Sequence, residues 1–123
     1  MLQLIAASLL VVSAPTTPAP LDGEALRRIF LNGYNTYLTP PRSADIVVDH
    51  PDQELFRPNG SYSRRVGRFG PDGLYAIEGD RLCVSGEGIP KQCRKLIPQG
   101  GNWYLLVNVA DGSKAVVELS QVK

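Results

Sequence analysis

The single histidine of the chain lies between two carboxylates, in the segment Asp49-His50-Pro51-Asp52. A carboxylate can orient an imidazole for acid–base chemistry, and a histidine beside an aspartate can bind a metal ion. Pro51 marks this stretch as a loop, and one imidazole with two nearby carboxylates is an incomplete site for either chemistry. We interpret the segment as a solvated loop and keep an enzyme that uses His50 only as a remote alternative.

Motifs that would support catalysis elsewhere are missing from the sequence. It contains no G-x-S-x-G elbow, no H-E-x-x-H helix and no glycine loop of the kind that cradles phosphate. One histidine and two cysteines exclude most multi-ligand zinc sites and iron–sulfur clusters. We therefore expect no enzyme activity, no metal and no cofactor.

The two cysteines, Cys83 and Cys93, are ten positions apart, and turn-forming residues lie between them. A hairpin that turns around residue 88 would place them opposite each other on neighbouring strands. Facing Cβ atoms there are about 4.5–5.5 Å apart, which is close enough for a bridge. We predict a structural disulfide, which implies an oxidising compartment. Free buried thiols and a cysteine nucleophile are the alternatives.

Arginines and aromatic residues alternate in a second candidate site around residues 57–69. In a strand, Arg64 and Arg68 share one face with Tyr62, whereas Arg65 lies on the other face. The split charge argues against a basic stripe, and a net charge of +1 gives no field for nucleic acid. Solvated strand residues and core aromatics are the competing interpretation. The possible binding surface, for an acidic partner or an envelope anion, comprises Arg64, Arg68, Tyr62, Tyr75 and Trp103.

The N-terminal 21 residues carry no charged side chain, and Leu2 to Ala14 is almost entirely apolar. About 13 helical residues span roughly 20 Å, short of the ~30 Å hydrocarbon core of a bilayer. We predict a signal peptide at 1–14, a proline-rich spacer at 15–20 and one β-rich domain at 21–123. The alternative is an apolar first strand. The protein is then periplasmic or secreted, with no stable membrane span in its mature form.

The length of 123 residues allows one domain, and 12 glycines with 10 prolines favour short strands joined by tight turns. One amphipathic helix precedes them, over roughly residues 23–32. Asp22 is its expected N-cap, Leu26 and Phe30 lie on its apolar stripe, and Gly33 is expected to end it. We expect this helix to cover an open end or face of a sheet and to protect an edge strand.

Short apolar runs at a spacing of about ten residues follow the helix, with turn residues between them. This spacing is typical of sequential antiparallel hairpins. We predict a mainly β fold, an antiparallel up-and-down meander of seven or eight short strands that curls into a barrel or half-barrel. The predicted strands are 46–48, 54–56, 62–69, 74–77, 82–84, 93–97, 103–109 and 115–122.

A small repeat, F-x-P-[ND]-G-x-Y, occurs at residues 56–62 and again at 69–75. It predicts two copies of one turn, in which Gly60 and Gly73 adopt a positive φ. The flanking aromatic residues can then pack across each hairpin. We interpret the repeat as scaffolding.

The pattern G-x-Y-x-I-x-G-D-x-L-C-V from Gly73 to Val84, followed by Cys93 and Trp103-Tyr104, resembles a group of small exported proteins of alphaproteobacteria. The resemblance covers roughly residues 54–105. It implies a periplasmic location and a β-rich fold, and it transfers no catalytic residue.

These observations lead to one main functional hypothesis. We expect a small exported β-domain without catalytic activity that binds another protein or a component of the cell envelope. The alternative is a small-molecule carrier built like a miniature lipocalin, which needs a cavity of at least ~300 Å³.

Overall fold

The computed structural model describes residues 18–40, 53–65 and 72–122. Within these ranges the strands are all antiparallel to their neighbours, and the last strand pairs with the first, so that the sheet closes into an eight-stranded barrel. This confirms the up-and-down meander and selects the closed form. The elements are α1 (Gly23–Phe30), β1 (Asn35–Thr39), β2 (Gln53–Phe56), β3 (Ser61–Arg65), β4 (Asp72–Glu78), β5 (Arg81–Gly86), β6 (Ile89–Gly100), β7 (Trp103–Asn108) and β8 (Lys114–Val122).

The first strand is the element that the sequence patterns missed. They place the start of the sheet at residues 46–48, which lie outside the described residues, whereas the structure begins it at Asn35–Thr39. This strand has few apolar residues, and one of its buried positions is Thr36. The Thr36 hydroxyl donates to the Ile29 carbonyl at 3.1 Å, which allows a polar residue to be buried there.

The helix begins as predicted, because the Asp22 carboxylate accepts a hydrogen bond from the backbone N–H of Ala25 at 2.8 Å. It ends at Phe30, earlier than the sequence predicted, and Leu31 rather than Gly33 is at its C-terminal cap. Phe30 is the last helical residue that packs into the core, whereas Leu31 is 43% exposed. The length of the helix therefore matches the part of the barrel that it covers.

The helix closes one end of the barrel. Its apolar residues Leu26 and Phe30 are completely buried there. Two backbone N–H groups connect its first residue and the segment before it to the barrel: Gly23 N–H donates to the Asp80 carboxylate, and Leu21 N–H donates to the Leu96 carbonyl, both at 2.8 Å. The prediction that the helix covers an open end is confirmed. Its expected role at an edge strand is wrong, because a closed barrel has no edge.

Four aromatic rings form the core beneath the helix. The ring of Phe56 lies 5.0 Å from that of Phe30 and 5.1 Å from those of Tyr62 and Tyr75, mostly in edge-to-face geometry. The expected packing of aromatic residues across the 56–62 hairpin is confirmed. We call this region, with Leu26, the closed end.

The two copies of the repeat do not form the same structure. Gly60 has a φ of 93° and its N–H donates to the Arg57 carbonyl at 3.0 Å, as the turn motif predicts. Gly73 lies inside β4 opposite Tyr62, and its φ is outside the left-handed region, so the second prediction is wrong. A Cβ at Gly73 would overlap the Ser85 carbonyl oxygen, so glycine is required there by the close approach of β5.

Candidate functional site

The end of the barrel opposite the helix is lined by charged and amide side chains. Residues on one face of a strand recur with a period of two, and the register pairs Glu54 with Arg64 across β2 and β3. The same alternation brings Gln92 and Arg94 of β6 to this end, beyond the buried Leu96. We call these four residues, Glu54, Arg64, Gln92 and Arg94, the mouth.

A buried ion pair dominates the mouth. The Arg94 guanidinium donates from Nη1 to Glu54 Oε1 at 2.8 Å and from Nη2 to Glu54 Oε2 at 2.7 Å, in a bidentate arrangement. The two side chains are only 7% and 16% exposed. The Tyr62 hydroxyl also donates to Glu54, and Gln92 Oε1 accepts from Arg94 at 3.1 Å. The Glu54 carboxylate is therefore fully engaged.

Burial and the ion pair determine the protonation states in this cluster. Burial acts to lower the pKa of the Arg94 guanidinium, but the hydrogen bonds and charge of Glu54 outweigh it, so the pKa lies above its ordinary value. Burial, with the Glu54 carboxylate, raises the pKa of Tyr62 well above its usual range. Arg94 therefore stays charged and Tyr62 stays neutral across physiological pH, and neither group is suited to exchanging protons.

Two cavities open at the mouth. The larger has a volume of about 220 Å³ and the smaller about 80 Å³, and both are lined by Arg64, Gln92 and Arg94. The larger cavity falls short of the ~300 Å³ that a lipocalin-like carrier requires. Beyond it the interior is filled by the closed end. The opposite wall of the larger cavity is apolar and comprises Leu38, Pro40, Leu106, Ala115 and Val117.

Arg64 is the cation of the mouth that Glu54 does not engage. It lies opposite Glu54 in register, but the Glu54 oxygens bond to Arg94 and Tyr62 instead. The Arg64 side chain makes no hydrogen bond or ion pair with another residue of the described ranges. With one carboxylate and two guanidinium groups, the mouth carries one excess positive charge. Arg65, the next residue, lines neither cavity, in agreement with the predicted alternation of faces.

Of the other members of the predicted binding surface, Tyr62 lines the smaller cavity with Arg64, whereas Tyr75 and Trp103 line neither cavity. The side chains of Tyr62 and Tyr75 are both buried in the core. The Tyr75 hydroxyl lies 2.8 Å from the Phe30 carbonyl oxygen and 2.6 Å from that of Arg57, and burial raises its pKa to about 12. Trp103 is 38% exposed and pairs with Glu118 across β7 and β8. Arg68 and the segment around His50 lie outside the described residues.

Sequence reasoning missed Glu54, Gln92 and Arg94 as members of a site. A usable signal exists, because Glu54 is two residues from the buried Phe56 and Arg94 is two residues from the buried Leu96. Each charged residue therefore has the same strand parity as a core residue. Their pairing was not visible, because 40 positions separate them along the chain.

The predicted disulfide between Cys83 and Cys93 is present, and the two residues lie directly opposite each other on β5 and β6. Neither cysteine is free, so no thiolate nucleophile is formed. The Glu78 carboxylate lies near the two sulfur atoms, within 4.8 Å. Sulfur atoms joined in a disulfide are not thiolate ligands, so we assign no metal site there.

The fold and the mouth define a class: a small antiparallel barrel, stapled by one disulfide, with one end closed by a helix and one charged end. No protein-family model matches the sequence, and no curated protein or solved structure matches it either. In the part of the chain that the structure describes, no helix has the length and apolar character needed to cross a bilayer.

Proposed function

We propose that this chain is an exported, non-catalytic binding module, and that its mouth holds an anionic group of an envelope component or of a partner protein. The observation that carries this proposal is Arg64. It lines both cavities beside an ion pair that is already complete, so its charge is available to an external anion.

The chemistry of the mouth supports binding rather than bond-making. A general acid or base works best with a pKa near the working pH. The pKa values of Arg94 and Tyr62 are both shifted away from neutrality, and both cysteines are held in the disulfide. The remote alternative of an enzyme built on His50 predicts that His50→Ala abolishes function, whereas our proposal predicts that binding at the mouth survives this change.

Export is supported by the disulfide, because such bonds persist in oxidising compartments. The predicted signal peptide at 1–14 lies outside the described residues. The proposal is tested by intact-mass analysis of the protein recovered from the periplasm of a bacterial host. We expect a chain that begins at Pro15 and lacks two hydrogens. An unprocessed chain that remains in the cytosol with two free thiols would contradict export.

The binding proposal is tested by cosedimentation of the exported protein with an insoluble envelope fraction. The variants are Arg64→Gln and its neighbour Arg65→Gln, which removes the same charge from a residue outside the cavities. We expect the wild-type protein and Arg65→Gln to sediment alike and Arg64→Gln to stay in solution. Equal sedimentation of all three proteins would overturn the role of Arg64, and no sedimentation of the wild type would exclude an envelope component as the ligand.

A further inference from the structure

We propose that the larger cavity of the mouth binds a small monocarboxylate with a short apolar chain, its carboxylate on Arg64 and its chain against the wall formed by Leu38, Leu106 and Val117. This inference rests on the proposed function and names the class of ligand for the same site.

The two walls of the cavity differ in chemistry. The apolar wall comes from β7, β8 and β1, which are adjacent in the barrel, and includes the buried Leu38 and Val117. The polar wall comes from β2, β3 and β6 and carries Glu54, Arg64 and Arg94. A ligand that satisfies both walls has an apolar body and a polar end, which is the usual division of roles in a small-molecule site.

The charges on the polar wall select a single negative charge. Glu54 and Arg94 neutralise each other, so one positive charge remains, on Arg64. The planar guanidinium group matches the two oxygens of a carboxylate. A cation would be repelled by Arg64. A doubly charged phosphate would leave one negative charge uncompensated near Glu54.

A neutral donor is also available beside Arg64. The Gln92 amide oxygen accepts from Arg94 at 3.1 Å, so its NH₂ group faces away from that bond. Within the described residues this NH₂ group has no acceptor. It is therefore a second donor for a ligand oxygen on the lining of the same cavity.

The volume limits the length of the apolar chain. A cavity of about 220 Å³ corresponds to about seven water molecules at ~30 Å³ each. The part of a ligand that enters the cavity is therefore limited to about eight non-hydrogen atoms. Hexanoate has that size, and we choose it as the probe.

The test is a titration of the ¹⁵N-labelled exported protein with hexanoate, monitored by the NMR chemical-shift changes of assigned backbone amides. We expect saturable shifts at Leu38, Arg64 and Arg94. The neutral 1-hexanol should bind at least tenfold more weakly, and hexylamine should not bind. Hexanol that binds as tightly as hexanoate would overturn the proposal.

Matched variants locate the carboxylate. Arg64→Gln should weaken hexanoate binding at least tenfold, whereas Arg65→Gln should change it less than twofold. Arg64→Lys keeps the charge without the planar fork, so we expect an intermediate loss. If the Arg64→Gln variant unfolds, hexanoate binding is measured in Arg64→Lys instead. Added chloride should then compete with hexanoate for the positive charge. Unchanged binding in a folded Arg64 variant would refute the assignment.

The same chemistry can come from a free acid or from the C-terminus of a polypeptide. N-acetyl-leucine and its amide distinguish these sources. Competition by the acid but not by the amide would identify a chain terminus as an accepted source. Competition by neither, with hexanoate still bound, would restrict the ligand to free acids. Both results support a carboxylate site.

Failure of this inference is distinct from failure of the proposed function. Envelope binding that depends on Arg64, without hexanoate binding, would retain the function and exclude this class of ligand. Hexanoate binding without envelope binding would exclude the envelope partner and leave the carboxylate site.

Discussion

The closed end and the mouth of this barrel are built from the same strands, but the closed end is packed with aromatic side chains and the mouth with charged ones. At the closed end, Phe30 of the helix packs on the rings of Phe56 and Tyr75, and the Tyr75 hydroxyl lies within hydrogen-bonding distance of backbone carbonyl oxygens. At the mouth, Arg94 and Glu54 form a buried ion pair beside an uncompensated Arg64. Apolar burial stabilises a fold more dependably than a buried ion pair does.

The difference arises within single strands. On β2, Phe56 belongs to the closed end and Glu54 to the mouth, and on β6 Leu96 belongs to the same buried core and Arg94 to the mouth. Each pair is two residues apart and faces the same interior. On each of these strands, a residue that stabilises the barrel and a residue of the proposed binding site are therefore only two positions apart.

The comparison predicts that the closed end carries most of the stability. Phe30→Ala should reduce the free energy of unfolding by about 3–5 kcal/mol, because it removes a buried ring from the aromatic core. Leu31→Ala, at the next and exposed position, should change it by no more than about 0.5 kcal/mol. Urea unfolding measures both. A loss below about 1 kcal/mol for Phe30→Ala would mean that the helix is not part of the cooperative core.

The mouth should respond to the loss of one partner and tolerate the loss of both. Arg94→Leu leaves the Glu54 carboxylate buried without its counter-charge, and we expect a cost of about 3–5 kcal/mol. Replacing both residues by leucine should restore most of that loss. The same urea experiment applies. A double variant as unstable as the single one would show that the ion pair itself contributes the stability.

The disulfide should stabilise the barrel as a whole, because it joins β5 to β6 on the barrel wall. Replacing both cysteines by serine should cost about 2–3 kcal/mol, the value expected for a loop of this length. Hexanoate binding by the folded variant should not change. Loss of binding at temperatures where the variant is folded would show that the staple also shapes the mouth.

Alkaline pH should weaken the closed end through its tyrosines. The pKa of Tyr75 is raised to about 12 and that of Tyr62 is raised further, whereas an unfolded tyrosine titrates near pH 10. Above about pH 10 the unfolded chain therefore loses protons that the folded chain keeps, and stability falls as pH rises. At neutral pH, Tyr75→Phe should cost about 1–2 kcal/mol, because the buried Phe30 carbonyl loses the Tyr75 hydroxyl as its donor.

Unfolding at pH 7 and pH 11 separates these effects. The decline between the two values should be shallower in Tyr75→Phe than in the wild type, and Leu31→Ala, which removes no titratable group, serves as the control with an unchanged decline. Identical declines in all three proteins would contradict the role assigned to Tyr75.

The smallest effect on stability is expected at Arg64. Because its side chain forms no ion pair with another described residue, Arg64→Gln should change the free energy of unfolding by no more than about 0.5 kcal/mol. Thermal unfolding of Arg64→Gln, with Arg65→Gln as the control, measures this change. A large loss of stability in Arg64→Gln would indicate a structural role for this residue. Weaker binding by that variant would then no longer identify Arg64 as a ligand contact.

Parts of the fold that depend on near neighbours were predictable. The β5–β6 hairpin and its disulfide follow from turn residues and from two cysteines placed symmetrically about residue 88. The N-cap at Asp22 and the turn at Gly60 are likewise local. Gly73 shows the limit of this reasoning. It belongs to the second copy of the turn motif, but it lies in a strand that β5 approaches closely and not in the predicted turn.

Local patterns in the sequence predicted the class of the fold, the start of the helix, most of the hairpins and the disulfide, since these features depend mainly on residues close together along the chain. The pairing of β1 with β8, which closes the barrel, and the contact of Glu54 with Arg94 across 40 positions became visible only in the folded chain. The physical reason is register. A shift of one residue moves every side chain of a strand to the other face, so the face that a charged residue takes is settled by its partners in the closed sheet.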